Sequence, residues 1–280
     1  MLTSILELTD TEFASLTEFV KVNYGLDLSA KKAFAQMRLQ SLIASSGFST
    51  FADYFDHAMR DRTGVAVASM INSLTVNYTL FYRESFHFDM FAADVLPYLF
   101  EKEQLTHDLR IWSAGCSTGE EPYTLAITVA DFLGESRPYW DTKILATDIS
   151  TFALKKALVG EYPVESIKDL HAEWTKKYFV PHPTNGQSVL IAPSIKDEVI
   201  FRKHNLVKDP FIFKQKFHAI FCRNVMIYFD EETKQRLLKK LYDVLDDGGY
   251  LFIGMSETIN YTQTKFHYIA PSVYRKAVTL

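Results

Sequence analysis

The sequence is poor in the features that mark membrane, secreted and metal-binding proteins. Of its 280 residues only 2 are cysteines, and neither Cys116 nor Cys222 lies in a spacing typical of metal ligands. No stretch approaches the roughly 18 consecutive apolar residues of a membrane span. The first residues carry no basic region and are soon interrupted by Glu7 and Asp10, so no secretory signal peptide is expected. These absences predict a cytoplasmic protein with reduced thiols and no metal.

Several nucleotide-binding and catalytic motifs are missing as well. The chain has no GxGxxG, no GK[ST], no HExxH and no GxSxG, which argues against a dinucleotide oxidoreductase, a P-loop protein and a serine hydrolase. Its net charge of −4 gives no indication of binding to nucleic acid or to anionic membranes. A hydrophobic content of 48% is ample for a globular core.

The most informative stretch is RIWSAGCSTGEEPY at 110–123. It combines the end of an apolar strand, a turn of small residues and a helix start with Pro122 in the first turn. Such a strand, turn and helix hold nucleotide-sized ligands in open α/β sheets. Glu120 and Glu121 would repel a phosphate, but not a ligand with a positive amino group and a ribose. The stretch therefore points to S-adenosylmethionine rather than to NAD or ATP.

Residues 1–74 are predicted to form a helical domain. Thr9 and Thr50 each stand three residues before an acid, in capping patterns, and Ser29 can cap the helix between them. Gly25 is expected to end the first helix. The helical pattern does not indicate a function.

The charges near the predicted second helix are open to two interpretations. Lys31, Lys32 and Arg38 could form a basic face that docks an acidic partner helix. The alternative, which the sequence alone favours, is an ordinary solvated helix face.

Residues 75–109 are predicted to link the helical domain to the rest of the chain. Polar residues alternate with aromatic ones at the start of this segment, before a helix over 86–100. The segment is either an ordinary linker or a lid in which Asn77, Thr79 and Arg83 reach over a ligand. In a lid, Arg83 could clamp a carboxylate bidentately.

Within 110–280, predicted strands alternate with helices, which indicates a parallel sheet. The second strand ends in Asp148, where ribose hydroxyls are bound in this architecture, although the same acid could cap the next helix. A central strand ends just before Arg223, Asn224 and Tyr228. Chemistry in such sheets occurs at the carboxyl ends of central strands, so these three side chains are candidates for it.

The alternation is interrupted at about 175–203, where three short strands are predicted. They lie over 177–180, 188–191 and 199–202. We interpret them as a small antiparallel sheet inserted in the α/β domain, which either binds an extended peptide by strand addition or serves as a structural flap. Asn205 and Leu206 follow and are expected to return to the ligand cleft.

The two cysteines test the predicted strand order. Cys116 follows the first strand, and Cys222 ends the central strand that we expect beside it. They should approach each other near the ligand as free thiols.

Four motifs, in the right order, resemble those of one family. They are NYTLFYRE at 77–84, WSAGCSTGEEPY at 112–123, ATDI at 146–149 and FCRNVMIYF at 221–229. Over almost its whole length the chain resembles the CheR family, S-adenosylmethionine-dependent methyltransferases that esterify glutamates on bacterial chemoreceptors. The resemblance implies an α/β, Rossmann-like methyltransferase sheet with an N-terminal all-helical domain and an inserted small antiparallel β-subdomain.

The resemblance also implies roles for individual residues. It assigns S-adenosylmethionine, and its product S-adenosylhomocysteine, to Asn77, Thr79, Arg83, Glu120, Asp148, Asn205, Leu206, Arg223 and Asn224. Glu120, rather than Glu121, would bind the amino group, and Asp148 would bind the ribose. Arg223 and Tyr228 would be catalytic, next to the methyl group and the acceptor.

The implied reaction is a direct displacement by a glutamate carboxylate. This nucleophile is already ionised at neutral pH, because a model Glu has a pKa of about 4.3, so no general base is needed. Two alternatives remain: a methyltransferase for another protein or a small acid, and a signalling scaffold that binds the cofactor without efficient turnover.

The implied partners are the cytoplasmic methylation helices of chemoreceptors, which dock on the helical domain of the family. In some members the small sheet also holds a receptor C-terminal peptide. No nucleic acid and no membrane insertion are implied. The chain departs from the family in its second helix, where residues 37–42 carry Arg38 as their only basic residue.

Overall fold

The computed structural model describes residues 6–260 and 264–278, which form a helical unit, a large sheet and a small sheet. Residues 1–5, which entered the argument against a signal peptide, lie outside the described residues. Within the described ranges, no helix combines the length and the apolar character needed to cross a membrane.

The amino-terminal unit contains four helices around a core of its own. They are α1 (Asp10–Tyr24), α2 (Lys32–Ser45), α3 (Phe51–Arg60) and α4 (Val65–Leu74). Thr9 caps α1 in a capping box and Thr50 caps α3, as predicted. The predicted cap at Ser29 is wrong. Helix α2 follows Lys31 without a side-chain cap, because Ser29 donates instead to the Asp27 carboxylate in a local turn.

The predicted helix over 86–100 is present and has one widened turn. It consists of α5 (Phe86–Met90), a π-helical turn (Phe91–Val95) and α6 (Leu96–Lys102). The ring of Phe91 packs edge-on against Phe221 and Phe252 of the large sheet, at centroid distances of 5.3 and 6.0 Å. This contact anchors the helix on the sheet.

The remaining elements alternate as predicted for an α/β domain. The strands are β1 (Ile111–Ala114), β2 (Ile144–Asp148), β3 (Glu161–Pro163), β4 (Phe179–Pro181), β5 (Ser188–Ile191), β6 (Val199–Lys203), β7 (Phe217–Cys222), β8 (Leu245–Ile253), β9 (His267–Ala270) and β10 (Val273–Arg275). The helices are α7 (Glu120–Leu133), α8 (Thr151–Val159), α9 (Ala172–Tyr178), α10 (Pro193–Lys196) and α11 (Glu231–Val244).

Seven of these strands form the large sheet, in the order β6-β2-β1-β7-β8-β10-β9. The strands from β6 to β8 in this order are parallel, and β10 and β9 complete the edge in antiparallel pairing. This confirms the Rossmann-like fold. The carboxyl ends of β1, β2 and β7 therefore meet at one edge, where ligands bind in such sheets.

The cysteines confirm the predicted neighbourhood of the first and central strands. Strand β1 pairs with β7, and Ser113 lies beside Phe221. Cys116 follows β1 and Cys222 ends β7, and both thiols are buried and free. Burial raises the pKa of both thiols well above its usual value, which disfavours the thiolate form.

The small antiparallel sheet is present, but one of its strands differs from the prediction. Its order is β3-β5-β4, so it spans 161–191 rather than about 175–203. The assignment of 199–202 to this sheet is wrong, because β6 pairs in parallel with β2. The apolar face of β6 is buried against α7, where the Phe201 ring lies 5.6 Å from that of Tyr123. The missing strand, β3, is only three residues long and ends in Pro163, which weakens its pattern.

Candidate active site

A cavity of about 260 Å³ opens at the carboxyl ends of β1, β2 and β7. Nine of the ten predicted site residues line it: Asn77, Thr79, Arg83, Asp148, Asn205, Leu206, Arg223, Asn224 and Tyr228. The tenth, Glu120, is not on its wall, whereas Glu121 is. Tyr24 and Leu26 also line the cavity, so the helical unit forms part of it.

The turn after β1 requires glycine at two positions. Gly115 has a φ of 94°, and a Cβ there would lie 2.4 Å from Val225 Cγ2. Gly119 has a φ of 100°, and a Cβ there would lie 2.9 Å from the Cβ of Ala157. Because both conformations are left-handed and both spaces are filled, any side chain would displace the turn. The turn forms the floor of the cavity and starts α7.

Asp148 is fixed by the backbone on both sides. Its Oδ2 accepts the Ser117 N–H at 2.8 Å, and its Oδ1 accepts the Ser150 N–H at 2.7 Å. Burial raises the pKa of this carboxyl, and the N–H bonds oppose that shift. The cap of α8 is Ser150, whose hydroxyl accepts the Ala153 N–H. Asp148 is thus a positioned acceptor in the cavity rather than the helix cap.

The two acids at the start of α7 have different partners. The Thr118 hydroxyl donates to Glu120 at 2.6 Å, away from the cavity wall. The Glu121 carboxylate accepts the Ser113 hydroxyl at 2.7 Å and an Arg223 N–H at 2.9 Å. Burial raises the pKa of both carboxyls. The geometry favours Glu121 as the cavity acid, and the assignment of Glu120 to the amino group stays a prediction.

Arg223 is almost fully enclosed and joins three segments. Its side chain is 2% exposed, and its guanidinium donates to Glu121, to Glu84 at 3.1 Å and to the Arg83 carbonyl. It also lies 5.1 Å from the ring centroid of Phe88. Because both of its carboxylate partners are protein groups, Arg223 ties the 77–84 segment to the sheet at the edge of the cavity.

Part of the 77–84 segment lines the cavity, as a lid would, and its role as a lid stays a prediction. The Ser117 hydroxyl donates to the Asn77 carbonyl at 3.0 Å. The Tyr82 N–H donates to the Thr124 hydroxyl at 3.2 Å, and the Tyr82 ring stacks on Phe88 at 5.4 Å. These contacts fasten both ends of the segment to the turn and to α7.

Backbone strain is concentrated around this cavity. Tyr82, Glu84, Ser117 and Asn224 have left-handed φ angles of 58°, 55°, 49° and 57°. Such conformations cost of the order of 1 kcal/mol or more each outside glycine, so surrounding contacts must hold them. Glu84 accepts hydrogen bonds from Arg223, from the Asn224 amide and from the Met255 N–H.

The helical unit supports the far wall. The Asp27 N–H donates to the Tyr228 carbonyl at 2.9 Å, and Lys31 Nζ lies 5.8 Å from the Tyr228 ring centroid. The Asn205 amide donates to the Asn23 carbonyl at 2.8 Å. Burial raises the pKa of Tyr228, while the nearby Arg83 guanidinium opposes that shift. Both Tyr228 and Asn205 therefore depend on contacts across the domain boundary.

Sequence reasoning missed two acids of this site. Glu84 lies within the recognised NYTLFYRE motif, which was a usable signal. Glu257 follows β8 and accepts N–H bonds from Asn224, Ile227 and Gly254. Its sequence neighbours did not indicate Asn224 and Ile227 as partners, because these two residues come close to Glu257 only when β7 and β8 pair.

A cluster of potential metal ligands lies at the opposite end of the sheet. Within the described ranges, Glu103, His218 and Asp246 offer ligand atoms within 4.8 Å of one another. However, Arg110 Nη2 already lies 2.6 Å from His218 Nε2, the ring nitrogen that faces both carboxylates. Lys102 Nζ, 2.7 Å from Asp246, already supplies positive charge there. The expectation of no metal remains a prediction.

The buried carboxylates fit a ligand with hydroxyl and ammonium groups, and the sheet presents them at its ligand-binding edge. Fold and site together define an S-adenosylmethionine-dependent methyltransferase. Two family models match: "CheR methyltransferase, all-alpha domain" over residues 11–75 and "CheR methyltransferase, SAM binding domain" over residues 77–274. The chain belongs to the CheR methyltransferase family, as its four motifs indicated.

Similar proteins are named chemotaxis protein methyltransferases. A chemotaxis protein methyltransferase of Borreliella burgdorferi is 38% identical over 274 residues, covering 97% of this chain and 96% of that protein. One of Escherichia coli is 34% identical over 276 residues, covering 98% of this chain and 93% of that protein. One of Listeria innocua is 35% identical over 251 residues, covering 89% and 91%.

Proposed function

We propose that this methyltransferase forms glutamyl methyl esters on the cytoplasmic methylation helices of chemoreceptors. The observation that supports this most is an unpaired cation, Arg83, in the same cavity lining as the phenol of Tyr228. The Arg83 guanidinium donates to the Tyr78 carbonyl, and no carboxylate of the described residues lies within 4.0 Å of it. A cation without an acid partner suits a carboxylate, and a phenol lining the same cavity can donate a hydrogen bond to one.

The chemistry requires positioning rather than proton transfer. When bound, S-adenosylmethionine supplies a sulfonium methyl group: a glutamate oxygen forms the new C–O bond as the C–S bond breaks, and S-adenosylhomocysteine leaves. The resemblance places Arg83 at the cofactor and Arg223 at the acceptor. Because Arg223 is already engaged by Glu84 and Glu121, we assign Arg83 instead, with the Tyr228 hydroxyl, to orienting the acceptor carboxylate. Arg223, which donates hydrogen bonds to Glu84 and Glu121, would hold the 77–84 segment in place against the start of α7.

The cavity lining supports the cofactor roles that the resemblance implies. Asp148 would accept ribose hydroxyls with lone pairs that its two N–H bonds leave open. Asn77 and Thr79 would contact the cofactor from the lid, and Asn205 and Leu206 would lie at the adenine. Asn224 and Arg223 would border the methyl group.

The amino group of the cofactor has two candidate acids, Glu120 and Glu121. Calorimetric titration of Glu120→Gln and Glu121→Gln with S-adenosylhomocysteine separates them. We expect the larger loss of affinity in Glu121→Gln because that carboxylate lines the cavity. The reverse ranking would restore the sequence-based assignment to Glu120.

The receptor helix would dock beside the helical unit in the cytoplasm, but not on a strongly basic α2. The Arg38 side chain donates to the carbonyls of Ser73 and Thr75, at 2.7 and 2.9 Å, and so satisfies the end of α4. Lys32 pairs with Asp10. Lys31, next to Tyr228, is the cation of this region best placed for an acidic helix. A receptor C-terminal peptide on the small sheet stays a prediction, with β3 and β4 as its edges.

The proposal is tested by incubating the protein with methyl-labelled S-adenosylmethionine and a cytoplasmic receptor fragment. We expect label that base releases as methanol, because esters hydrolyse in base and N-methyl groups do not. A receptor fragment whose modified glutamates are replaced by alanine is the control. Base-stable label, or no label from a protein that binds S-adenosylhomocysteine, would favour another substrate or a scaffold.

A further inference from the structure

A buried carboxylate outside the cavity organises the loop that carries Asn224 and Tyr228. Glu257 is 6% exposed and does not line the cavity. Its Oε2 accepts the N–H groups of Asn224 at 3.0 Å and Gly254 at 2.6 Å, and its Oε1 accepts the Ile227 N–H at 3.2 Å. One side chain therefore satisfies backbone donors at both ends of the loop and at the end of β8.

These donors have no regular secondary-structure partner. Asn224 has a left-handed backbone, and a short 3₁₀ turn (Met226–Tyr228) follows it. Buried N–H groups without an acceptor are costly, so the loop needs an acceptor at this point. The Glu257 carboxylate supplies two oxygens for three donors, which a single amide oxygen could not do in the same geometry.

The packing around this carboxylate leaves little freedom. A Cβ on Gly254 would lie 2.5 Å from the Asn224 amide nitrogen and 2.9 Å from Glu257 Oε2. The Asn224 amide is held in turn by Glu84 at 3.1 Å. Asn224 is thus fixed through its backbone by Glu257 and through its side chain by Glu84.

We propose that Glu257 is a positioning residue for methyl transfer, whose carboxylate holds the 223–228 loop so that Asn224 and Tyr228 face the cavity. The proposal rests on this cavity being the methyl-transfer site. Glu257 would act only by positioning Asn224 and Tyr228, because Glu257 itself does not line the cavity. Displacements of about 1 Å in such loops can cost ~100-fold in rate.

The test compares Glu257→Gln with Glu232→Gln, a change at an exposed acid of α11. Four quantities are measured: amide hydrogen exchange of the 223–229 segment, affinity for S-adenosylhomocysteine, kcat and KM with the receptor fragment, and thermal stability. In Glu257→Gln we expect faster exchange at Asn224 and Ile227, and a kcat about 10- to 100-fold lower with a smaller change in KM. Glu232→Gln should match the wild type.

A purely structural role would give a different result. It would lower the melting temperature of Glu257→Gln but leave kcat per cofactor-binding site at the wild-type value, which would overturn the proposal. If Glu257→Gln does not fold, Glu257→Asp, which keeps the charge, is subjected to the same measurements and the same criterion. If the proposal that receptor glutamates are methylated were wrong, the receptor-labelling assay would show it separately, because the wild-type protein would then produce base-stable label.

Discussion

The side of the cavity that we assign to the cofactor and the side that we assign to the acceptor are built differently. On the cofactor side, Asp148 is held by the N–H groups of Ser117 and Ser150, which lie on the turns that follow β1 and β2. On the acceptor side, the 223–228 loop is held by Glu84, Glu257 and Asp27, from three remote segments. The first side needs only the sheet, whereas the second also needs the lid, the end of β8 and the helical unit.

The difference indicates where the site is most vulnerable. The acceptor side contains a buried arginine between two carboxylates, strained residues and a buried histidine, His87, with a ring nitrogen 3.5 Å from Glu84. Buried ions are stabilising only as a complete set, because removal of one partner leaves the others unpaired. We therefore expect substitutions on the acceptor side to affect folding and turnover, and substitutions on the cofactor side to affect mainly affinity.

The largest effect is expected for Arg223→Met. It leaves Glu84 and Glu121 buried without their cation, and should lower the free energy of unfolding by about 3–5 kcal/mol. Urea unfolding measures this loss. Arg236→Met on the exposed face of α11, where the side chain of Arg236 is 56% exposed, is the control and should change little. Equal losses in both variants would contradict the description of Arg223 as the tie between lid and sheet.

The next effect is acid lability. Burial and the nearby Arg223 lower the pKa of His87 to about 4. Because the pKa of His87 in the folded state lies below the usual 6.5, the imidazole is protonated at a higher pH in the unfolded chain than in the folded protein. The stability that depends on a neutral His87 is therefore fully present above pH 6.5 and is lost as the pH falls towards 4. The loss amounts to about 3 kcal/mol for His87 alone. The prediction is checked by measuring the free energy of unfolding at pH 7 and at pH 4.

A matched pair of variants isolates this contribution. His87→Leu should flatten the pH dependence over that window, while His267→Leu, at an exposed position, should leave it unchanged. His218, whose pKa burial also lowers to about 4, keeps part of the slope in both. An unaltered slope in His87→Leu would show that the acceptor side does not account for the acid lability.

A smaller effect, confined to affinity, is expected on the cofactor side. Asp148→Ala removes hydrogen bonds from a carboxylate, each worth about 1.5–3 kcal/mol, and should weaken S-adenosylhomocysteine binding at least about tenfold. Calorimetry gives the affinity, and kcat at saturating cofactor should change much less. Asp148→Asn separates lost ribose contacts from a displaced turn. Equal affinity in Asp148→Ala and the wild type would remove the ribose assignment.

The smallest effect is expected for Tyr228→Phe, which removes one hydroxyl from the acceptor side. Loss of one hydrogen bond of about 1 kcal/mol to the acceptor should lower kcat several-fold. Affinity for S-adenosylhomocysteine should remain at the wild-type value. A change in affinity with unchanged kcat would place Tyr228 on the cofactor side and break the comparison.

How much was predictable differs between elements. The capping box at Thr9 and the glycine turn follow from local patterns whose physical requirements are short-range, whereas the pairing of β1 with β7 was expected from the alternation of strands and helices in this architecture. Strand β6 was assigned to the wrong sheet because its apolar alternation suits either sheet, and the choice depends on the burial of Phe201 against α7. The preference for Glu120 over Glu121 failed to match the cavity lining because neighbouring helical residues point in directions set by packing.

By itself, the sequence determined the family, the Rossmann-like alternation, the helical unit and nine of the residues that line the cavity, because each follows from residues adjacent in the chain or from a recognised motif. Only the tertiary structure decided what holds those residues. Glu84 and Glu257 converge on one loop, Asp27 reaches Tyr228, and Arg223 finds both acids, across separations of 33 to 201 residues in the chain. Hydrogen bonds and ion pairs act over a few ångströms, so such contacts exist only once the sheet and the helical unit have brought these segments together.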